Sequence, residues 1–208
     1  MVIELLAWSA MAGSLVRVIV RDMTEASGKV VVNRCMSLDG FIAAPGHRMD
    51  FGGRRMLHDF VDRADINAIA AATGAMLVGR GTWEVGAAMA GTVPEEARYP
   101  FDGPVFLLSH RPLDPPNPDV PILSGDISAA VATALAAAGD KNLEILGADT
   151  AAQCLRAGLV DEVLVYVLPV LLGDGIPMAA PGAPRVDLEQ VSSAPSGDAT
   201  IVRYRVVR

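Results

Sequence analysis

The chain has 208 residues, 51% of them hydrophobic, and a formal net charge of -7. That length suits one sizeable domain with its own core, and a mean hydropathy of +0.37 argues against disorder. The acidic balance disfavours a nucleic-acid surface, which needs a basic face, and no apolar run reaches the ~18 residues of a membrane span.

Residues 1–28, "MVIELLAWSAMAGSLVRVIVRDMTEASG", differ in character from the rest of the chain. The stretch is apolar and rich in small residues, as a signal peptide is. It lacks a positive n-region, however, and carries Glu4 inside the apolar part. It reads as an N-terminal extension, translated from an upstream start or loosely docked, before a core domain at 29–208. "KVVVNRCMSL" is β-branched and apolar and predicts the first strand. "DGFIAAPGH" is a turn, a short apolar piece and a loop. Residues 55–72 carry Met56, Phe60, Ala64, Ile66 and Ile69 at helical spacing. "AMLVG" (75–79), "PVFLLS" (104–109) and "VPIL" (120–123) predict strands, and the Pro-rich 111–121 a surface loop. "SAAVATALAAAG" predicts a helix with Asp126 or Ser128 as N-cap and Gly139 as C-cap. "LEILG" (143–147) is a strand, and "DTAAQCLRAG" a helix capped by Asp149 or Thr150 and stopped at Gly158. "DEVLVYVLPVLLG" is a long strand, and the C-terminus a hairpin around Ala194-Pro195-Ser196-Gly197. Strands separated by helices imply an α/β fold with a mixed, mostly parallel sheet flanked by helices.

Three of these strands end in similar chemistry: Gly79-Arg80-Gly81-Thr82, Ser109-His110-Arg111, and Gly147-Ala148-Asp149-Thr150. In an open α/β sheet, ligands sit outside the carboxyl ends of the strands. Free amides at a helix N-terminus bind anions, glycine lets a phosphate approach the backbone, and arginine pairs with phosphate. Each turn alone is an ordinary turn. The three together point to a dinucleotide. Cys35 and Cys154 fit no metal spacing and read as reduced thiols of a cytoplasmic protein. His47, His58 and His110 form no metal-binding pair, so no metal site is expected.

"VGRGTWE" resembles the phosphate-binding turn of dihydrofolate reductases. "SLDGFIAAPG" and "GADTAAQCLRAGLVDEVLVYVLPVLLGDG" resemble the reductase domain of the bifunctional riboflavin-biosynthesis deaminase–reductase. The resemblance runs from about Val30 to Arg205. It implies the three-layer dihydrofolate-reductase-like fold, NADPH as hydride donor, and a pyrimidine or pteridine substrate. It places Gly79, Arg80, Gly81, Thr82, Gly147, Ala148, Asp149 and Thr150 at the cofactor phosphates. Ser109 with Arg111 or His110 would hold the 2′-phosphate, Cys35 would lie along the nicotinamide through its backbone, and Ser37, Asp39 and Phe51 would line the substrate side. The family's third turn carries Glu-Gly-Gly with the glutamate on the substrate; here the same place reads Leu146-Gly147-Ala148. The zinc residues of a deaminase half are absent. Relatives pair through the C-terminal region, so a homodimer is expected.

A reductase also needs a proton source. Asp39, Asp50 and Glu162 are the candidate acids. Asp39 also reads as an Asx-turn residue shaping the Asp-Gly bend, Asp161-Glu162 as a solvated pair, and Trp83 as packing. From a different class, the pocket would bind NADPH as a sensor without efficient turnover.

Overall fold

Val-rich and Ile-rich segments alternate with Ala-rich amphipathic ones, and the chain folds accordingly into strands separated by helices. The computed structural model describes residues 28–46, 57–89, 91, 93–179 and 182–208. Residues 1–27 of the N-terminal extension, His47, Asp50 and Phe51 lie outside the described residues. In chain order the elements are β1 (Val30–Ser37), β2 (Phe41–Ala43), α1 (Arg63–Ala72), β3 (Thr73–Gly79), α2 (Arg80–Met89), β4 (Val105–Leu108), β5 (Ile122–Leu123), α3 (Ile127–Ala138), β6 (Asn142–Leu146), α4 (Ala148–Arg156), β7 (Glu162–Leu168), β8 (Ile176–Pro177), β9 (Leu188–Ser196) and β10 (Ala199–Val206).

Eight strands form one sheet in the order β5-β4-β3-β6-β1-β7-β10-β9, and β2 pairs with β8 in a small separate ladder. From β5 to β7 every pairing is parallel, while β10 runs antiparallel to both β7 and β9. Alternation along the buried strands sends successive side chains to opposite faces. Val30 and Val32 of β1 pack with Ala75, Leu77, Leu143 and Ile145 against α3 and α4. Val31 packs with Phe60, Ile66, Ile69, Leu164 and Tyr166 under α1 on the other face. The result is a three-layer α/β architecture with two cores.

Four boundaries differ from the sequence expectation. The helix expected over 55–72 is a short turn at Leu57–Asp59 followed by α1 from Arg63, with Asp62 at its N-cap. The long strand expected over 161–173 ends at Leu168, because Pro169 cannot donate to a ladder; Val170 then folds back, donating to Leu168 O at 2.8 Å. The hairpin turn is shorter than expected. Ala194, Pro195 and Ser196 still pair with β10, and only Gly197 and Asp198 connect the strands. Pro195 is tolerated there because β9 is an edge strand. Finally, Gly147 and not Asp149 or Thr150 is the N-cap of α4. At α3 the expectation holds: Asp126 caps it, Oδ2 accepting from Ala129 N at 3.1 Å.

Candidate active site

The strands β3, β4 and β6 lie side by side and end level with one another, Gly79 opposite Leu108 and Val78 opposite Leu146. The three turns singled out in the sequence therefore meet at the carboxyl end of the sheet. A cavity of about 800 Å³ opens there, lined by Gly79, Arg80, Gly81, Thr82, Ser109, His110, Arg111, Gly147, Ala148, Asp149, Thr150 and Cys35 among others. Every cofactor-side residue picked from the sequence is at this cavity.

Two helices begin at its rim, and their first-turn N–H groups have no preceding turn to donate to. α2 starts at Arg80 and α4 at Ala148, and the N-cap Gly147 supplies no side-chain cap. The two turns touch. A Cβ on Gly79 would lie 2.5 Å from Thr150 Oγ1, and one on Gly147 would lie 3.1 Å from Thr82 Oγ1 and 3.4 Å from Gly79 N. Gly147 also sits at φ +103, a conformation that favours glycine. The glycines thus let two helix amino ends converge, which is the arrangement an anion needs.

The cations differ in their commitments. Arg80 is spent on the neighbouring loop: Nε donates to Ser109 Oγ at 2.8 Å, and Nη2 donates to Pro112 O at 2.9 Å and to Arg111 O. Ser109 Oγ in turn accepts from Arg111 N at 3.1 Å and donates to Arg111 O at 3.0 Å. Arg111 itself is exposed at the cavity mouth, beside exposed His110. A third arginine, Arg34, was missed because its segment reads as a strand. It is 5% exposed and donates to Asn33 O at 2.6 Å, Ile145 O at 2.9 Å and Gly147 O at 2.7 Å. Burial lowers its pKa to about 10, so it remains a cation behind the Gly147 turn. Cys35 lines the cavity with its thiol pushed up to about 12 by burial, hence protonated and unreactive.

The substrate-side candidates are arranged otherwise. Ser37 is fully buried; its Oγ donates to Asp39 Oδ1 at 2.6 Å and accepts from Phe41 N at 3.0 Å. The Asp39 carboxylate accepts from Leu172 N at 3.1 Å and Gly173 N at 2.7 Å. The Ser37 hydrogen bond, followed by the Gly173 amide, holds its pKa down to about 2. Neither Ser37 nor Asp39 lines the cavity; both tie the turn after β1 to the loop after β7. Glu162 is a correction: it is a buried residue at the amino end of β7, away from the cavity, paired with Lys29 Nζ at 2.7 Å and with Arg203 Nε. Trp83, partly buried, packs against Leu107, Leu113 and Val120, the packing role expected of it.

The buried acid at the cavity is Glu144, hidden in the apolar-looking "LEILG". It is 3% exposed and accepts at Oε1 from Thr73 Oγ1 at 2.6 Å and from Tyr99 Oη at 2.9 Å. Burial raises its pKa, and the hydrogen bonds from Thr73 and Tyr99 work against that rise. Among the described residues no cluster of His, Cys, Asp and Glu could hold a metal, and no helix is long and apolar enough to cross a membrane.

The fold has solved counterparts. A putative riboflavin biosynthesis protein from Shewanella sp. PV-4 superposes with a TM-score of 0.69 at 24% identity, over 86% of this chain and 99% of that one. A pyrimidine reductase-like protein from Corynebacterium diphtheriae gives 0.59 at 15% identity, over 91% and 95%. A dihydrofolate reductase from Enterococcus faecalis, complexed with NADP(H), gives 0.54 at 16% identity, over 88% and 99%. These likenesses establish the dihydrofolate-reductase-like fold. No curated protein matches the chain. The family model described as "RibD C-terminal domain" matches residues 28–202, and the chain therefore belongs to the RibD C-terminal domain family, whose members have a reductase-like role.

Proposed function

We propose that this protein is an NADPH-dependent reductase of a small heterocyclic substrate, a pyrimidine or a pteridine, acting in the cytoplasm. One observation carries the reading: the uncapped amino end of α4 and the amino end of α2 converge, through Gly79 and Gly147, on the cavity that also holds the exposed Arg111. Those residues fit a dinucleotide. The amides of Arg80 to Thr82 and of Ala148 to Thr150 bind the diphosphate, with Arg34 adding positive potential behind Gly147. Asp149 takes part through its N–H, since its carboxylate repels phosphate. Arg111 and His110 meet the adenosine 2′-phosphate, and no acidic residue stands there to bind a free ribose hydroxyl.

When bound, the cofactor would supply the hydride. Cys35, Ile42 and Ala43 also line the cavity, where they orient a flat ring and exclude water. Asp39 holds the adjoining turn in place. A binding protein without turnover is the reading that competes with this one. Fluorescence titration with NADPH and NADH, followed by turnover over a panel of oxidised pyrimidines and pterins, tests both. At least about tenfold tighter binding of NADPH is expected, as one charge-assisted contact contributes about 1.5–3 kcal/mol. Equal affinities would refute the phosphate assignment, and tight NADPH binding with no oxidation by any acceptor would favour the binding protein.

A further inference from the structure

On the face of the sheet covered by α1, a polar row crosses three adjacent strands. Glu144 of β6 pairs in register with Val31 of β1, and Tyr166 of β7 pairs with Cys35. Asn33 stands between those two β1 positions, and residues two apart share a face. Glu144, Asn33 and Tyr166 therefore form a diagonal on one face, and all three line the same cavity as the phosphate turns.

The row is buried and incompletely paired. Tyr166 is 1% exposed, yet its Oη has no hydrogen-bond partner. The Asn33 amide approaches the phenol without reaching hydrogen-bond geometry. A buried hydroxyl in that state destabilises the fold, and phenylalanine would fill the same space without the penalty. The short hydrogen bonds from Thr73 and Tyr99 both go to Glu144 Oε1, and the Asn33 side chain also favours the ionised carboxylate by hydrogen bonding. A buried hydroxyl without a partner, beside a cavity and next to a hydrogen-bonded acid, is the mark of a ligand subsite.

We propose that Asn33, Glu144 and Tyr166 are the substrate-reading end of the cavity, and that they take the lactam edge, a ring carbonyl beside a ring nitrogen, of an uncharged planar heterocycle. Tyr166 Oη donates to the carbonyl. Glu144 Oε2 pairs with the ring nitrogen, accepting from N–H when ionised and donating to a bare nitrogen when protonated. Asn33, standing between the two, can donate its amide N–H to the second lone pair of the same carbonyl. The acid also keeps phosphates at the other end of the cavity. Leu146, two residues on and on the same face, occupies the rim, so the carboxyl sits one pleat deeper, about 7 Å along the strand. The inference rests on the cavity being a reductase site, but its test is separable.

The probe is lumazine, a fluorescent bicyclic ring with lactam edges, and its N-methylated derivative is the control. Tyr166→Phe should weaken lumazine binding about three- to tenfold, the loss of one neutral hydrogen bond. Its melting temperature should stay at or above wild type, and NADPH titration should be unchanged. Glu144→Gln should weaken lumazine by a similar factor, appearing in KM more than in kcat wherever turnover is measurable. Methylated lumazine should bind poorly to every variant. Wild-type affinity for lumazine in Tyr166→Phe overturns the assignment, as does equal binding of the methylated ring. Protein that binds NADPH but no lumazine overturns the subsite alone, while lumazine binding without NADPH binding overturns only the cofactor reading.

Discussion

Arg80 and Arg111 are residues of one type at neighbouring turns, and their surroundings separate them. In the sequence both read as phosphate ligands. The structure gives the Arg80 guanidinium to Ser109 Oγ and to the carbonyls of Arg111 and Pro112, with Glu84 at 3.4 Å. Arg80 therefore positions the loop that carries Arg111. Arg111→Ala should weaken NADPH about tenfold or more and leave NADH within about twofold, since it removes one charge-assisted contact. Arg80→Ala should weaken both cofactors and lower the melting temperature, because four acceptors lose a donor. Paired titrations and melts on the two variants check this. Selective loss of NADPH in Arg80→Ala would return that residue to the phosphate.

Asp39 gives a second contrast at the same scale. Its short hydrogen bonds go to the protein's own turn, and its pKa is held down from 3.8 to about 2. A depressed folded pKa contributes stability above the unfolded value and loses it as pH falls through the folded one. The wild-type melting temperature should thus contain a component that fades between about pH 4 and pH 2. Asp39→Asn should lack that component and melt lower at neutral pH, while NADPH affinity stays unchanged. A large loss of NADPH affinity in Asp39→Asn, with an unchanged melt, would show that the carboxylate serves the ligand instead.

Among the elements, the order of strands and helices was legible because each carries its own periodicity: the valines of β1, the alanines of α3, the apolar β4. The turns were legible for the same reason, since glycine and arginine punctuate apolar runs. What escaped reading was whatever depends on a neighbouring strand. Glu144 looked like one polar residue in a strand, and Arg34 like another. Only the parallel pairing of β1 with β6 brings the Arg34 guanidinium to Gly147 O, and only the closure of the segment at Tyr99 gives Glu144 its second hydrogen bond. Glu162 misled in the opposite sense, because its partners Lys29 and Arg203 are far away in sequence. The helix starts yield a prediction. Gly147→Ala forces a side chain into φ +103 and against Thr82 Oγ1, which costs about 1–3 kcal/mol. Gly86 sits inside α2 with nothing within 4 Å of an added Cβ, so Gly86→Ala should gain about 0.5–1 kcal/mol from helix propensity. Chemical denaturation of the two variants should give opposite shifts; a stable Gly147→Ala would mean that the two turns do not meet as described.

For the whole molecule, the acidic balance and the anion-binding cavity are reconciled by where charge lies: Arg80 and Arg111 follow the ends of two strands and Arg34 lies within β1 beside the third turn, while the net charge of -7 belongs to the chain. The same scale decides assembly. Among the described residues β9 is a nine-residue edge strand with no neighbouring strand on its outer side, and its outer part exposes Leu188 at 43% and Val191 at 40%. Leu38 and Leu171, 65% and 73% exposed, lie near one another where Leu38 N donates to Val170 O at 2.8 Å. An exposed edge with apolar side chains is a template for further association unless something covers it. Pro195 blunts one end only. We propose that a second copy of the chain covers this region in a two-fold dimer, because a closed symmetric pair buries the same patch on both subunits and leaves no open edge to propagate. Light scattering at micromolar concentration should give a mass near twice the chain's 21.7 kDa. Val191→Lys, which places a charge on the edge, should shift that mass towards the monomer without changing the melt of the isolated fold at low concentration. A monomeric mass for the wild-type protein would overturn the dimer.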